Sequence, residues 1–133
     1  MIGSFVSSAL RKYVGRRLFG NLLLAVNWLT RGKRAMRDAG HQARIDAAGT
    51  SLSLYIFRDC PFCIKVLRFL HQSNMTLDLR DAEFNELHKA ELVSRGGHYQ
   101  VPCLRITSAN GNKEQWLYES DDIIAYLDHI LTA

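Results

Sequence analysis

Several short hydrophobic patterns divide the second half of this chain into alternating strands and helices. The apolar run Leu52–Phe57 has the length and bounds of a buried strand. Residues 61–73 follow with helical spacing through Ile64, Val66, Leu67, Phe69 and Leu70, and Ser73-Asn74 breaks the pattern. Met75-Thr76-Leu77-Asp78-Leu79 alternates as a second strand. Asp81 and Glu83 open a helical stretch that reaches about Val93 and closes at Gly96-Gly97. Leu104-Arg105-Ile106 reads as a strand, residues 108–112 as a turn, and Glu114–Tyr118 as its return partner. Ser120 then caps a last helix, with Asp121 and Asp122 in its first turn and Ile123, Ile124, Tyr126, Leu127 and Ile130 along it. The order βαβ–α–ββα predicts an α/β fold with a right-handed first crossover and an antiparallel final pair.

The first half has a different pattern. Residues 2–16 form an amphipathic period, with Ile2, Phe5, Val6, Ala9 and Tyr13 on one face. Leu18–Leu29 is apolar nearly all round and is flanked by Arg16-Arg17 and by Arg31, Lys33, Arg34 and Arg37. Twelve helical residues reach about 18 Å, short of a hydrocarbon core of roughly 30 Å, so a single membrane span is not expected. Four readings of this arm stay open. It lies on a membrane surface, binds a partner or itself, packs on the rest of the chain, or is a secretory signal that lacks a clean cleavage site. Residues 31–50, rich in Gly, Ala and charge, read as a linker with some helix. The expected organisation is a basic helical arm over 1–30, a linker over 31–50 and a folded domain over 51–133.

Charge sharpens that division. The chain of 133 residues carries a net +4, but residues 1–50 hold nine Lys/Arg against Asp38 and Asp46, or +7, and residues 51–133 hold eight against eleven acids, or −3. The basic surplus therefore belongs to the arm, and nucleic acid is not an expected partner.

The chemistry concentrates in Cys60-Pro61-Phe62-Cys63. Two cysteines at this spacing sit side by side if the segment winds into a helix, and Pro61 suits the first helical position. Cys60 then occupies the helix mouth, where unpaired amides and the positive end of the dipole favour a thiolate. No second C-x-x-C and no suitable histidine spacing completes a zinc site, and three cysteines are too few for a disulfide framework. The pair reads as a redox dithiol, with Cys60 attacking and Cys63 resolving. No metal is expected.

With CPFC at the first strand-to-helix turn and Gln100-Val101-Pro102 before the third strand, residues 51–133 resemble a glutaredoxin-type thioredoxin-like fold: a four-stranded mixed sheet flanked by helices, here with an N-terminal helical extension. Tyr118-Glu119-Ser120-Asp121-Asp122 is also similar to the glutathione-binding end of the glutathione transferase N-terminal domain. The resemblance implies glutathione as cofactor and a cis bond at Pro102. That bond would turn the Val101 backbone toward the thiols, to pair with glutathione like an added strand. It further implies that Ser120 holds the γ-glutamyl carboxylate, with Glu119 or Asp121 taking the ammonium. Arg58 is expected either to lower the Cys60 pKa or to meet a glutathione carboxylate, although Phe57 stands where the family usually has its basic residue. Cys103 is expected in the core, and Phe62 and Tyr99 are candidates for the groove.

The implied function is a glutathione-dependent thiol–disulfide oxidoreductase acting on protein disulfides or glutathione mixed disulfides. Alternatives are a transferase or isomerase using the same groove, and an iron–sulfur carrier bridging two subunits. The expected partners are glutathione, disulfide-bearing or glutathionylated proteins, and a membrane contacted through residues 1–30. The expected place is the cytoplasm, at the inner face of the membrane.

Overall fold

In the computed structural model the backbone of residues 2–133 and the side chains of residues 15–133 are described. β1 (Leu52–Ile56) is central in a four-stranded sheet of order β2-β1-β3-β4, with β2 over Asp78–Asp81, β3 over Cys103–Thr107 and β4 over Glu114–Leu117. β1 and β2 are parallel, whereas β1–β3 and β3–β4 are antiparallel. This is the expected mixed sheet. The period of two along β1 splits it between two cores. Leu52 and Leu54 face Val66 and Leu70 of α3 (Pro61–Gln72) and Ile123 and Leu127 of α5 (Ser120–Thr132). Tyr55 faces the other way and packs with Ala82, Leu92 and Cys103.

Local chemistry moves three boundaries. Met75 and Leu77 are buried as their alternation requires, but the β2 ladder begins only at Asp78, opposite Ser53. Asp81 does not open a helix. Its carboxylate accepts the amides of Glu83 (2.8 Å) and Phe84 (3.0 Å), forming a turn that competes with helix. α4 (Glu86–Glu91) starts later, behind an Asn85 cap that accepts the His88 amide at 3.1 Å. It runs into a π turn, Leu92–Gly96, which Gly97 ends at φ 91°. At α5 the cap position belongs to Glu119, and Ser120 is the first helical residue.

The N-terminal stretch is one helix, α1 (Ile2–Thr30), not an amphipathic piece and a separate apolar piece. The side chains of Ile2, Phe5, Val6, Ala9 and Tyr13, expected on one face, lie outside the described residues. Among the described residues, α1 packs one side on α3 and the neighbouring loops. Arg16 pairs with Glu83 at 3.5 Å, Arg17 stands over the Phe84 ring, and Thr30 accepts from Arg68. No described helix is long and apolar enough to cross a membrane.

Residues 31–50, read as a linker, hold α2 (Ala39–Gly49), capped by Asp38. Ile45 is 2% exposed and belongs to the main core. Ile45→Ala is therefore expected to cost about 2–5 kcal/mol, read as a lower urea midpoint. An unchanged midpoint would show that α2 contributes nothing to the fold.

Candidate functional site

The β1-to-α3 turn brings the two thiols to one end of the sheet. Cys60 is the N-cap of α3 in an extended conformation, with Pro61 as first helical residue, and its carbonyl accepts the Ile64 amide at 2.9 Å. Cys60 is half-exposed, Cys63 fully buried one turn inside, and both are free thiols. The Cys63 thiol donates to Cys60, and the Cys63 and Phe62 amides add to it. Against burial and the nearby Asp59 carboxylate, these bring the Cys60 pKa down to about 6. The same hydrogen bond, with burial, drives the Cys63 pKa far upward. One sulfur is thus a thiolate at neutral pH and its neighbour a thiol. Arg58 is exposed on the loop beside Asp59.

Asp59 was not singled out in the sequence, and its position comes from α1. A Cβ at Gly20 would stand 2.5 Å from the Asp59 Cβ, so only glycine lets the helix lie this close to the loop. Because the Asp59 charge raises the Cys60 pKa, Asp59→Asn is expected to lower it further. Iodoacetamide alkylation against pH measures this: an unmoved or higher midpoint would refute the role.

The strand register brings the predicted proline to the thiol end. Tyr55 pairs with Cys103, so Phe57 runs past Val101, and both pack in one apolar cluster. The Val101–Pro102 bond is cis. Among the described residues, the Val101 amide and carbonyl make no hydrogen bond within the chain. Cys103 is buried beneath, its pKa pushed up to about 12 by burial, which fits a core position. Phe62 and Tyr99 are exposed at this end, with the Tyr99 hydroxyl donating to the Ala82 carbonyl at 3.0 Å.

β4 delivers Glu119, Ser120 and Asp121 to the start of α5. Ser120 is buried, and Glu119 and Asp121 are exposed. The Asp121 carboxylate is held in an ion pair by Lys65 of α3, whereas Glu119 has no such partner. Lys65 was also absent from the sequence reading. It lies 56 residues from Asp121, and only the packing of α3 beside α5 joins them.

A second polar cluster sits between the sheet and α4. Glu91 accepts from the Tyr55 hydroxyl at 2.6 Å and pairs with Arg80, with Arg105 (3.5 Å) and His88 (3.3 Å) around it. These groups tie α4 to the sheet, and no sequence spacing announces them. A cavity of about 680 Å³ borders this cluster, lined by Ser53, Asp78, Arg80, Arg105 and Thr107 but by neither Cys60 nor Cys63. Among the described residues, no group of three or more His, Cys, Asp or Glu could hold a metal ion.

The solved structure of wheat glutaredoxin is similar to this chain: it covers 73% of this chain and 95% of its own, at 21% identity and a TM-score of 0.47. No curated protein sequence matches. Residues 54–131 match the family of the glutathione S-transferase N-terminal domain. That match spans β1 through α5 and takes in both thiols, the cis-proline and the start of the last helix. It supports a glutathione S-transferase-like role. The chain belongs to the glutathione S-transferase N-terminal-domain family, with a four-stranded, thioredoxin-like mixed sheet.

Proposed function

We propose that this chain is a glutathione-dependent thiol–disulfide oxidoreductase that reduces protein disulfides or glutathione mixed disulfides. One observation carries the reading: a half-exposed thiol at a helix mouth, made acidic by a buried thiol one turn further in. The Cys60 thiolate attacks one sulfur of the substrate disulfide. A new S–S bond forms as the old one breaks, and the electron pair leaves on the other sulfur, which takes up a proton. Cys60 is then released by attack of a second glutathione thiolate, or of Cys63 with loss of its proton. Where Cys60 carries glutathione, the first route gives glutathione disulfide; where it carries a protein sulfur, the second gives the reduced protein and the Cys60–Cys63 disulfide, which two glutathione thiols then reduce.

The rise in the Cys63 pKa comes chiefly from its hydrogen bond to Cys60. Once Cys60 carries a disulfide it has no charge to attract that proton, so Cys63 becomes easier to ionise at the step that needs it.

Glutathione fits this end of the sheet through the free Val101 amide and carbonyl beside cis-Pro102, which supply one added-strand pairing. The Ser120 amide and hydroxyl at the start of α5 suit a carboxylate. Glu119 suits the ammonium better than Asp121, whose carboxylate Lys65 already occupies. Arg58 is exposed and free to meet the other glutathione carboxylate. We assign the reaction to the cytoplasm, at the inner face of the membrane, with the N-terminal arm as the contact.

The test is reduction of a glutathionylated peptide with glutathione or thioredoxin reductase as electron source. Glutathione should support turnover, and a preference for thioredoxin reductase would sink the glutathione assignment. The family match favours a transferase-type reaction as the second reading. A Cys63→Ser protein that accepts only electrophilic substrates would establish it.

A further inference from the structure

α1 turns a mixed side toward the folded domain and leaves an apolar side open. Arg17, Gly20, Leu23, Leu24 and Asn27 are turned inward and are buried or half-buried. At 100° per residue, Leu18, Phe19, Leu22, Val26 and Leu29 lie on another side, in an arc of about 100° that contains no polar side chain among the described residues. Leu18 is 63% exposed, Leu22 60% and Leu29 72%. A helix on a soluble domain normally carries charged and polar residues on that side. Trp28 lies about 80° outside the stripe and is 64% exposed.

The surrounding charge identifies what covers the stripe. Residues 1–37 contain no acid, and Arg31, Lys33, Arg34 and Arg37 follow Leu29 within eight positions. Among the described residues, none of these four pairs with a carboxylate. A second copy laid on the stripe would bring the same positive charges against them, at a cost. An anionic lipid surface brings the opposite charge and an apolar layer of the right depth.

We propose that the outer stripe of α1 docks in the plane of an anionic bilayer, with the basic segment 31–37 at the headgroups. The inner side of the same helix holds Gly20 against Asp59, one residue before Cys60. Docking therefore keeps the thiols about one helix diameter, about 10 Å, from the lipid. Provided the reductase reading holds, this selects disulfides and glutathione mixed disulfides on membrane-proximal protein segments as substrates.

The full chain is mixed with vesicles of phosphatidylglycerol and phosphatidylcholine, or of phosphatidylcholine alone, and sedimented. Binding should favour the anionic vesicles at least ten-fold and weaken with salt. Arg31→Gln and Lys33→Gln should each weaken it about five-fold. L22E/L29E should abolish it while leaving the Cys60 alkylation midpoint in place, which shows that the domain is still folded. A chain that stays in the supernatant, or an L22E/L29E variant that binds as well as wild type, overturns the proposal. So does a dimer that L22E/L29E dissociates and that ignores vesicles, since the stripe then belongs to a second copy. None of these readouts depends on thiol turnover, so failure of the reductase reading would remove the substrate class and leave the docking result standing.

Discussion

Cys60→Ser is expected to lower turnover of every disulfide substrate by on the order of a thousand-fold or more, because the attacking atom itself is lost. Cys63→Ser should behave differently. Glutathione can release a small mixed disulfide from Cys60 without Cys63, so such substrates should still turn over, while reduction of protein disulfides through an internal disulfide should fail. The serine hydroxyl also remains a hydrogen-bond donor in the place of the Cys63 thiol. Cys63→Ala removes that donor, which is the largest cause of the low Cys60 pKa, and should raise the thiol midpoint. Parallel assays on a glutathionylated peptide and a protein disulfide decide the matter. Equal loss in Cys60→Ser and Cys63→Ser would mean an obligatory dithiol mechanism and would rule out glutathione as the releasing thiol.

The second large effect is the pH dependence of that thiol. With a pKa of about 6 in place of 9.0, about half of Cys60 is thiolate at pH 6, where an ordinary thiol has roughly one part in a thousand. A thiolate of lower pKa is also a weaker nucleophile, by roughly 20-fold over three units at a Brønsted slope of about 0.4–0.5. Alkylation at pH 6 should therefore run about 20-fold faster than for an unperturbed cysteine, and its rate should level off above about pH 7. The sign for stability follows from the depressed pKa. The ionised Cys60 stabilises the reduced protein most above the ordinary thiol pKa, less as pH falls from 9 toward 6, and not at all below that. The oxidised protein has no such group, so the stability of the reduced form relative to the oxidised form should increase from pH 6 to 9. An alkylation midpoint near 8.5 would contradict the hydrogen bond from Cys63.

The sequence by itself determined the parts of this protein that rest on short-range chemistry. The Leu52–Ile56 strand, the Pro61 helix start, the thiols at the helix mouth and the hairpin around residues 108–112 all follow from periodicity, capping and turn preference within a few positions. Cys103 in the core follows from the alternation of β3. Short-range signals were less sure where two local choices compete. The Asp81 carboxylate took a turn before it could start a helix, and Glu119 rather than Ser120 became the cap of α5.

The tertiary structure decided everything that joins distant segments. Lys65 occupies Asp121 across 56 residues, Gly20 lies against Asp59 across 39, and Ile45, inside an apparent linker, enters the main core. Contacts of this kind are each worth about a kilocalorie or a few, and they impose no period on the chain. The arm shows the limit most clearly. Its Leu18–Leu29 stretch is apolar nearly all round, and only packing against α3 divides that surface into a covered side and an open one.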